Sequence, residues 1–90
     1  MAHETEAVIG LGANLGNPEE ALGEALRRLS EVPGVRVVRV SSLYRTAPID
    51  ATGPDYTNAA AVLAVTIPAK ELLHAMQKIE LDLGRVRPAG

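Results

Sequence analysis

The chain has 90 residues, 47% of them apolar but only 2% aromatic, and a formal net charge of −2. This length fits one domain, residues 1–90, whose core must be built from Leu, Val, Ile and Ala. The weak negative charge gives no overall attraction for nucleic acid or anionic membranes, and the absence of cysteine excludes disulfides and thiolate metal sites.

The N-terminal segment shows no targeting pattern. Residues 1–7 are polar and acidic and lack the basic and apolar regions of a signal peptide. No apolar run in the chain approaches the roughly 20 residues that a membrane helix needs. We therefore expect a cytoplasmic protein with no membrane and no nucleic acid among its partners.

The first half of the chain predicts a strand followed by a helix. "AVIGLGANLG" (Ala7–Gly16) begins as a buried strand, and its three glycines then predict a tight loop. "NPEE" (Asn17–Glu20) places a capping residue, a proline and two acids in the order typical of a helix start. The apolar positions that follow have helical spacing: Ala21, Leu22, Ala25, Leu26 and Leu29. Pro33 and Gly34 end this helix.

The second half predicts two strands and a second helix. Val35–Tyr44 is rich in β-branched residues and predicts one long strand, and the apolar run Asn58–Ile67 predicts another, although its alanines would tolerate a helix. Pro68 opens the second helix, which ends at Gly84. Its predicted apolar face consists of Leu72, Leu73, Met76, Ile79 and Leu83.

The predicted order β-α-β-β-α is that of an incomplete ferredoxin-like α+β fold. It implies an antiparallel sheet with both helices on one face and with the final strand missing. A missing strand would leave an uncovered sheet edge, which can pair with another polypeptide. We therefore expect a homodimer or strand exchange through this edge, or a complementary C-terminal polypeptide.

The glycine-rich segment admits two interpretations. Gly10, Gly12 and Gly16 match neither a dinucleotide-binding fingerprint nor a P-loop. Such a turn lets the backbone approach a ligand closely, and Asn14 would offer an amide from it. The alternative is a strand-to-helix turn that requires positive φ.

The segment "TAPIDATGPDYTNAA" (Thr46–Ala60) is a candidate binding loop. Tyr56 can stack on a flat ring, while Thr46 and Asn58 can supply hydrogen bonds. The amide of Asn58 has a donor and an acceptor, which suits the edge of a heterocycle. The alternative is a surface connection in which Tyr56 fills a satellite core.

The C-terminal part carries polar groups suited to phosphates. Arg85 and Arg87 would point the same way in an extended chain, and two guanidinium groups suit phosphate oxygens, although cations beyond a helix C-terminus also have a purely structural role. Gln77 and Glu80 share a helix face and would line a nucleotide site or a solvated surface. His3 and His74 have no second ligand at metal spacing, so no metal ligand is assigned.

Four segments occur together in an order that resembles a known family: "GLGANLGN", "SSLYRTAPI", "DYTNAA" and "IELDLGRVRPAG". The chain resembles, from about Ala7 to Gly90, the N-terminal half of 6-hydroxymethyl-7,8-dihydropterin pyrophosphokinase. The resemblance implies a ferredoxin-like enzyme of folate biosynthesis. Such an enzyme transfers pyrophosphate from ATP to the hydroxymethyl oxygen of the pterin and releases AMP, with two Mg²⁺ ions serving the reaction.

The resemblance also implies roles for individual residues. The pterin-binding positions would be Gly12, Asn14, Thr46, Ala47, Pro48, Ile49, Tyr56 and Asn58. Ala47 stands where the family often has a proline. The ATP-binding positions would be Gln77, Glu80, Arg85 and Arg87, with Arg85 as the catalytic candidate that touches the transferred group.

One departure from the family affects the expected activity. The family continues with a strand that bears an Asp-x-Asp pair holding both metals, and no such pair occurs in these 90 residues. We therefore expect an enzyme fragment with a partial pterin and ATP site and little or no activity by itself. The alternative is a non-enzymatic self-associating or binding module on the same fold.

Overall fold

Five strands and two helices are described within residues 3–14, 16–47, 53–83 and 86–89 of the computed structural model. In chain order they are β1 (Thr5–Ala13), α1 (Pro18–Ser30), β2 (Val35–Val40), β3 (Tyr44–Thr46), β4 (Tyr56–Val65), α2 (Ala69–Leu83) and β5 (Val86–Ala89). The strands form one sheet in which every pairing is antiparallel. The predicted α+β class is confirmed.

The sheet is organised around its two long strands. The strand order is β2-β4-β1-β5, and β3 also pairs with β4. The β1–β4 register runs from Thr5 opposite Val65 to Ala13 opposite Thr57. This long pairing brings the glycine-rich segment of β1 beside the start of β4.

The core lies between one face of the sheet and the two helices. From Tyr56 to Leu63 of β4, buried residues alternate with half-buried ones, as expected for a strand with one covered face. The helices contribute Leu22, Ala25 and Leu29 from α1 and Leu72, Met76 and Ile79 from α2. These residues form one hydrophobic cluster with the strands, in which Leu22, Leu29 and Leu63 are the largest fully buried side chains. The predicted apolar face of α1 is confirmed.

The start of α1 follows the local sequence signals. Gly16 has φ of 66°, a conformation that L side chains rarely adopt, so one glycine serves the turn. The Glu20 backbone N–H donates to the Asn17 side-chain oxygen at 3.2 Å, and Pro18 is the first helical residue. The Asn17 amide also donates to the Glu20 carboxylate at 3.4 Å. The predicted helix cap at Asn17 is confirmed, and the Asn17 side chain takes part in both of these hydrogen bonds.

The prediction of one strand over Val35–Tyr44 is wrong. The β2 register shifts between Val37 and Arg39, and the strand ends at Val40. The Ser41 hydroxyl accepts from the Ala60 N–H and donates to the Ser42 carbonyl oxygen, both at contact distances below 3 Å. Serine side chains that bond the backbone compete with strand pairing, so pairing resumes only at β3.

Three further predictions require correction. Gly10 and Gly12 lie inside β1, and Tyr56 begins β4, so neither segment is loop at those points. Leu73 is 49% exposed and is not part of the buried face of α2. The final strand is not missing, because β5 pairs with residues 10–13 of β1. The chain leaving α2 reaches the open edge of β1, where unpaired N–H and C=O groups accept a strand.

Ion pairs connect the outer surfaces of the helices. Arg27 and Arg28 both bond the Glu24 carboxylate, and Arg28 also reaches Asp82 of α2 at 3.5 Å. The hydrogen bonds from Arg27 and then Arg28 lower the pKa of Glu24 to about 2. Within the described ranges, neither helix is long and apolar enough to cross a membrane.

Candidate functional site

A group of polar and aromatic residues meets on the sheet face that the helices do not cover, which we call the open face. Gly12 is the register partner of Asn58, Tyr44 is also opposite Asn58, and Thr46 is opposite Tyr56. Residues directly opposite in an antiparallel pair share a sheet face. Three strands, β1, β3 and β4, therefore bring these five residues together, and we call them the amide cluster.

Asn58 is the centre of the amide cluster. Its side-chain nitrogen Nδ2 donates to Thr46 Oγ1 at 2.8 Å. It also lies 3.4 Å from the main-chain oxygen of Tyr44 and 3.3 Å from that of Tyr56. Three acceptors around one NH₂ group fix which end of the amide is nitrogen.

The carbonyl end of the Asn58 amide lies over Gly12. A Cβ atom at position 12 would be 2.8 Å from Asn58 Oδ1 and 3.6 Å from Tyr56 Cδ1. The distance of 2.8 Å is shorter than real Cβ contacts, so Asn58 would have to move. Glycine is therefore required at position 12 for this placement of Asn58. The positive φ of Gly16 fits the interpretation as a turn, whereas the close approach at Gly12 is made by the Asn58 side chain, and an approach to a ligand stays a prediction.

Tyr44 is the member of the amide cluster that sequence reasoning missed. Its main-chain oxygen accepts from Asn58, and its side chain is 49% exposed. The signal was available in the alternation of strands, since Tyr44 lies two residues before Thr46 and on the same face.

A shallow apolar groove continues along the open face from the amide cluster. It has a volume of about 250 Å³ and is lined by Val8, Arg39, Val40, Ser41, Ala60, Ala61 and Val62. Val8 is 72% exposed and pairs with Val62 of β4, on a stretch of β1 that β5 does not cover. The open face thus combines a polar cluster at one end with an apolar surface at the other.

The remaining predicted pterin residues are only partly accounted for. Asn14 follows β1 directly and is half-buried, and Ala47 follows β3 and is exposed. Pro48 and Ile49 lie outside the described residues. The structure therefore brings together Gly12, Thr46, Tyr56 and Asn58 from the predicted set.

The predicted ATP residues are not gathered at the amide cluster. Gln77 and Glu80 lie on α2, which packs on the opposite face of the sheet, with Gln77 exposed and Glu80 half-buried. Arg85 is outside the described residues. The backbone of Arg87 is in β5, directly opposite Gly12. Among the four predicted ATP-binding positions, Arg87 is the one whose backbone the structure places next to the amide cluster.

The described residues do not fit a metal centre. Among residues 3–14, 16–47, 53–83 and 86–89, no group of three or more His, Cys, Asp or Glu residues is placed to hold a metal ion. We therefore derive no step of a reaction through a metal bound to these residues.

Comparison with known proteins identifies the family. Residues 8–90 match the family model described as 7,8-dihydro-6-hydroxymethylpterin-pyrophosphokinase (HPPK). The 2-amino-4-hydroxy-6-hydroxymethyldihydropteridine pyrophosphokinase of Pseudomonas putida is 42% identical over 81 residues, covering 90% of this chain and 68% of that protein. The protein of the same name from Haemophilus influenzae is 39% identical over 82 residues, covering 90% of this chain and 51% of that protein.

A plant relative combines the same region with much additional sequence. A mitochondrial folate synthesis bifunctional protein of Arabidopsis thaliana is 43% identical over 83 residues, which cover 91% of this chain and 15% of that protein. The chain spans about half the length of several bacterial relatives that it matches. Because the family model covers residues 8–90, nearly the whole sequence, the chain belongs to the 7,8-dihydro-6-hydroxymethylpterin-pyrophosphokinase family.

Proposed function

We propose that this chain binds 6-hydroxymethyl-7,8-dihydropterin on the open face and serves the transfer of pyrophosphate from ATP to its hydroxymethyl group. The observation that carries the proposal is the convergence of Gly12, Tyr56 and Asn58 from two paired strands. An aromatic ring next to an amide that is packed against a glycine suits a flat heterocycle with polar edges. Family membership supplies the pterin and ATP as the substrates to test.

The reaction would be a phosphoryl transfer governed by position and charge. The hydroxymethyl oxygen forms a bond to the β-phosphorus of ATP and releases its proton to solvent, and the bond between that phosphorus and the α-phosphate oxygen breaks, so that AMP leaves. No covalent bond to the protein is needed, so the chain's task is to orient the acceptor and neutralise charge. In this scheme Tyr56 and Asn58 orient the pterin, and Arg85 and Arg87 face the phosphates.

The position of Arg87 supports this division of roles. Its backbone is the antiparallel neighbour of Gly12, so one strand spacing of about 5 Å separates it from this member of the amide cluster. Gln77 and Glu80 remain proposed ATP contacts by resemblance alone. Asn14, Ala47, Pro48 and Ile49 likewise remain proposed pterin contacts, and the cytoplasmic location remains a prediction.

We also propose that the fold is ferredoxin-like in its finer description. The order β2-β4-β1-β5, with antiparallel pairing and two helices in one core cluster, supports this arrangement. In it, β3 acts as a continuation of the edge strand β2, because both pair with β4.

Calorimetric titration of the chain with 6-hydroxymethylpterin tests the binding proposal. We expect saturable binding that weakens at least about tenfold in Asn58→Ala, since the amide contributes hydrogen bonds to the ligand edge. Lys78→Ala, at an exposed position of α2, is the control and should bind like the parent chain. A parent chain that gives no binding signal at millimolar pterin would contradict the proposal.

Formation of AMP from ATP and pterin separates binding from catalysis. We expect negligible turnover by the 90 residues alone, because the described residues hold no metal group and family relatives contain additional sequence. Turnover should rise when a polypeptide comprising the remaining sequence of the Haemophilus influenzae relative is added. Binding without any such rise would limit the chain to pterin recognition.

The partner is proposed to be either that complementary polypeptide or a second copy of the chain. Among the described residues, β5 covers only residues 10–13 of β1 on its side, so the stretch Thr5–Ile9 keeps an edge available for strand pairing. Self-association through this edge is the basis of the alternative, non-enzymatic function. Light scattering distinguishes the cases, since a 9.5 kDa monomer at all concentrations would exclude the second copy.

A further inference from the structure

We infer that the open face is also a self-association surface, on which a second copy of the chain packs face to face about a two-fold axis parallel to β4. Such packing goes beyond the proposed function and differs from strand pairing through the edge of β1. Three neighbouring strands supply the residues that carry it, with β4 lying between β2 and β1.

The middle of this surface is apolar. Val62 of β4 lies opposite Val8 of β1 on one side and opposite Arg39 of β2 on the other. Val8 is largely exposed, so an apolar surface that covered it would be stabilised by its burial. The lining of the shallow apolar groove comes mostly from β4 and from residues in or directly after β2. The open face thus has an exposed valine on the β1 side of Val62 and a groove on its β2 side.

The β2 side of the surface is basic because of the irregularity in that strand. Arg36 lies opposite Ala64, and Arg39 lies opposite Val62. In a regular strand, two residues three positions apart would point to opposite faces. The register shift between Val37 and Arg39 removes this difference, since a bulge inserts one residue. Both arginines therefore lie on the open face.

The β1 side of the surface is acidic. Glu6 lies opposite Ala64, on the side away from Arg36. Arg36 donates to the Glu4 carboxylate at 3.1 Å, so its charge is offset within the chain. Among the described residues, neither Arg39 nor Glu6 has an ion-pair partner. The open face therefore carries an unpaired cation at one edge and an unpaired anion at the other.

These positions select one symmetry for the second copy. A two-fold axis between the sheets, parallel to β4 and over Val62, places β1 of each copy across from β2 of the other. Val8 of each copy then faces the groove of the other, and Glu6 lies near the other copy's Arg39. An axis over Val62 that ran across the strands would place Arg39 against Arg39, which like charges disfavour. Facing sheets pack about 10 Å apart, a distance that an arginine and a glutamate side chain can bridge together.

Reversal of the two charges tests the proposed contact. The surface spans only a few residues on each of three strands, so we expect dimers in concentrated solution and a free open face in dilute solution. Light scattering over a series extending to millimolar chain measures the dissociation constant. Arg39→Glu and Glu6→Arg should each weaken dimerisation at least about tenfold, and the variant with both changes should recover to within about fivefold of the parent. Lys78→Glu, at an exposed position of α2, is the control and should dimerise like the parent.

Cross-linking distinguishes the open face from the edge of β1. The chain contains no cysteine, so Val62→Cys introduces a single thiol on the proposed axis. We expect a short bismaleimide to link two copies of Val62→Cys in concentrated solution. Lys78→Cys places the thiol on α2, on the other side of the sheet, and should not be linked.

Other occupants of the open face would give different results. A parent chain that stays monomeric at millimolar concentration would overturn the inference, and shielding of the Val62→Cys thiol by the complementary polypeptide would then assign the face to that polypeptide. A dimer that withstands both single charge reversals would assign self-association to the edge of β1, whose main-chain hydrogen bonds do not need these side chains. Pterin binding is measured separately in dilute solution, so the proposed function can fail while the dimer stands.

Discussion

The two faces of the sheet are built from the same strands and serve different purposes. On the helix-covered face, Leu11 and Leu63 are almost completely buried, whereas on the open face Val8 is 72% exposed and Gly12 and Asn58 form part of the amide cluster. Neighbouring residues along one strand alternate between these faces. Stability and ligand recognition therefore depend on alternate residues of β1 and β4, and mutations should separate them.

The largest difference between the faces is expected for truncation of an aliphatic side chain. Leu63→Ala on the covered face should lower the free energy of unfolding by about 2–5 kcal/mol, because it removes buried contacts and leaves a cavity. Val8→Ala on the open face should lower it by less than about 0.5 kcal/mol. Urea denaturation of both variants measures the contrast, and equal losses would contradict the division into two faces.

A methyl group added at Gly12 on the open face should weaken binding as well as stability. In Gly12→Ala, the new Cβ would force the Asn58 side chain from its place, at a cost of about 1–3 kcal/mol for overpacking, so pterin affinity should fall about tenfold or more. Gly23→Ala in α1 is the matched control, since its Cβ meets nothing within 4 Å. It should stabilise the helix by about 0.5–1 kcal/mol and leave affinity unchanged. Titration calorimetry and thermal denaturation measure the two quantities.

Substitutions of the α1 cap should change the free energy of unfolding without changing pterin binding, because α1 packs on the covered face. Asn17→Ala removes the acceptor for the Glu20 N–H and should lower the free energy of unfolding by about 1 kcal/mol. Asn17→Ser keeps a capping oxygen and should recover most of this loss. We expect Asn17→Ala to leave the pterin affinity unchanged. A parallel loss of binding would mean that the two faces are coupled.

The smallest effect is expected from the exposed ion pairs of α1. The pKa of Glu24 is about 2 in the folded chain, below its ordinary value of 4.5. Its contribution to stability is therefore complete above about pH 4.5 and lost as the pH falls toward 2. Glu24→Gln removes the carboxylate that Arg27 and Arg28 bond, so it should flatten this part of the pH dependence of the unfolding midpoint. Glu6 has no ion-pair partner among the described residues, so Glu6→Gln is the control and should not have this effect.

Local signals in the sequence accounted for the helices and for the nature of most strands. Asn17, Pro18 and the spacing of Leu22, Ala25 and Leu29 act within a few residues of one another, so they could be identified along the chain. Leu73 could not be excluded from the apolar face of α2, because its helical position is compatible with burial until the orientation of the helix on the sheet is known. The split between β2 and β3 depends on the bond between Ser41 and Ala60, which are 19 residues apart.

The candidate site shows the same distinction between local and long-range information. Tyr56, Asn58 and Thr46 were predicted from residue type and family resemblance. The approach of Asn58 and Tyr56 to Gly12 depends on the register of β1 and β4, which pairs Gly12 with Asn58, 46 residues later in the sequence. Strand alternation places Tyr44 on the same face as Thr46, but the hydrogen bond from Asn58 to the Tyr44 main-chain oxygen depends on the register of β3 and β4.

By itself, the sequence determined the α+β class, the capped first helix, the apolar composition of the core and the family to which the chain belongs. These properties follow from residue type and from spacing within short segments. Only the tertiary structure decided that β5 pairs with β1, that Asn58 is held by Thr46 and two main-chain oxygens, and that Gly12 lies beneath its carbonyl group. Strand register makes that decision, because it joins residues distant in the chain and a shift of one residue would move every side chain to the other face.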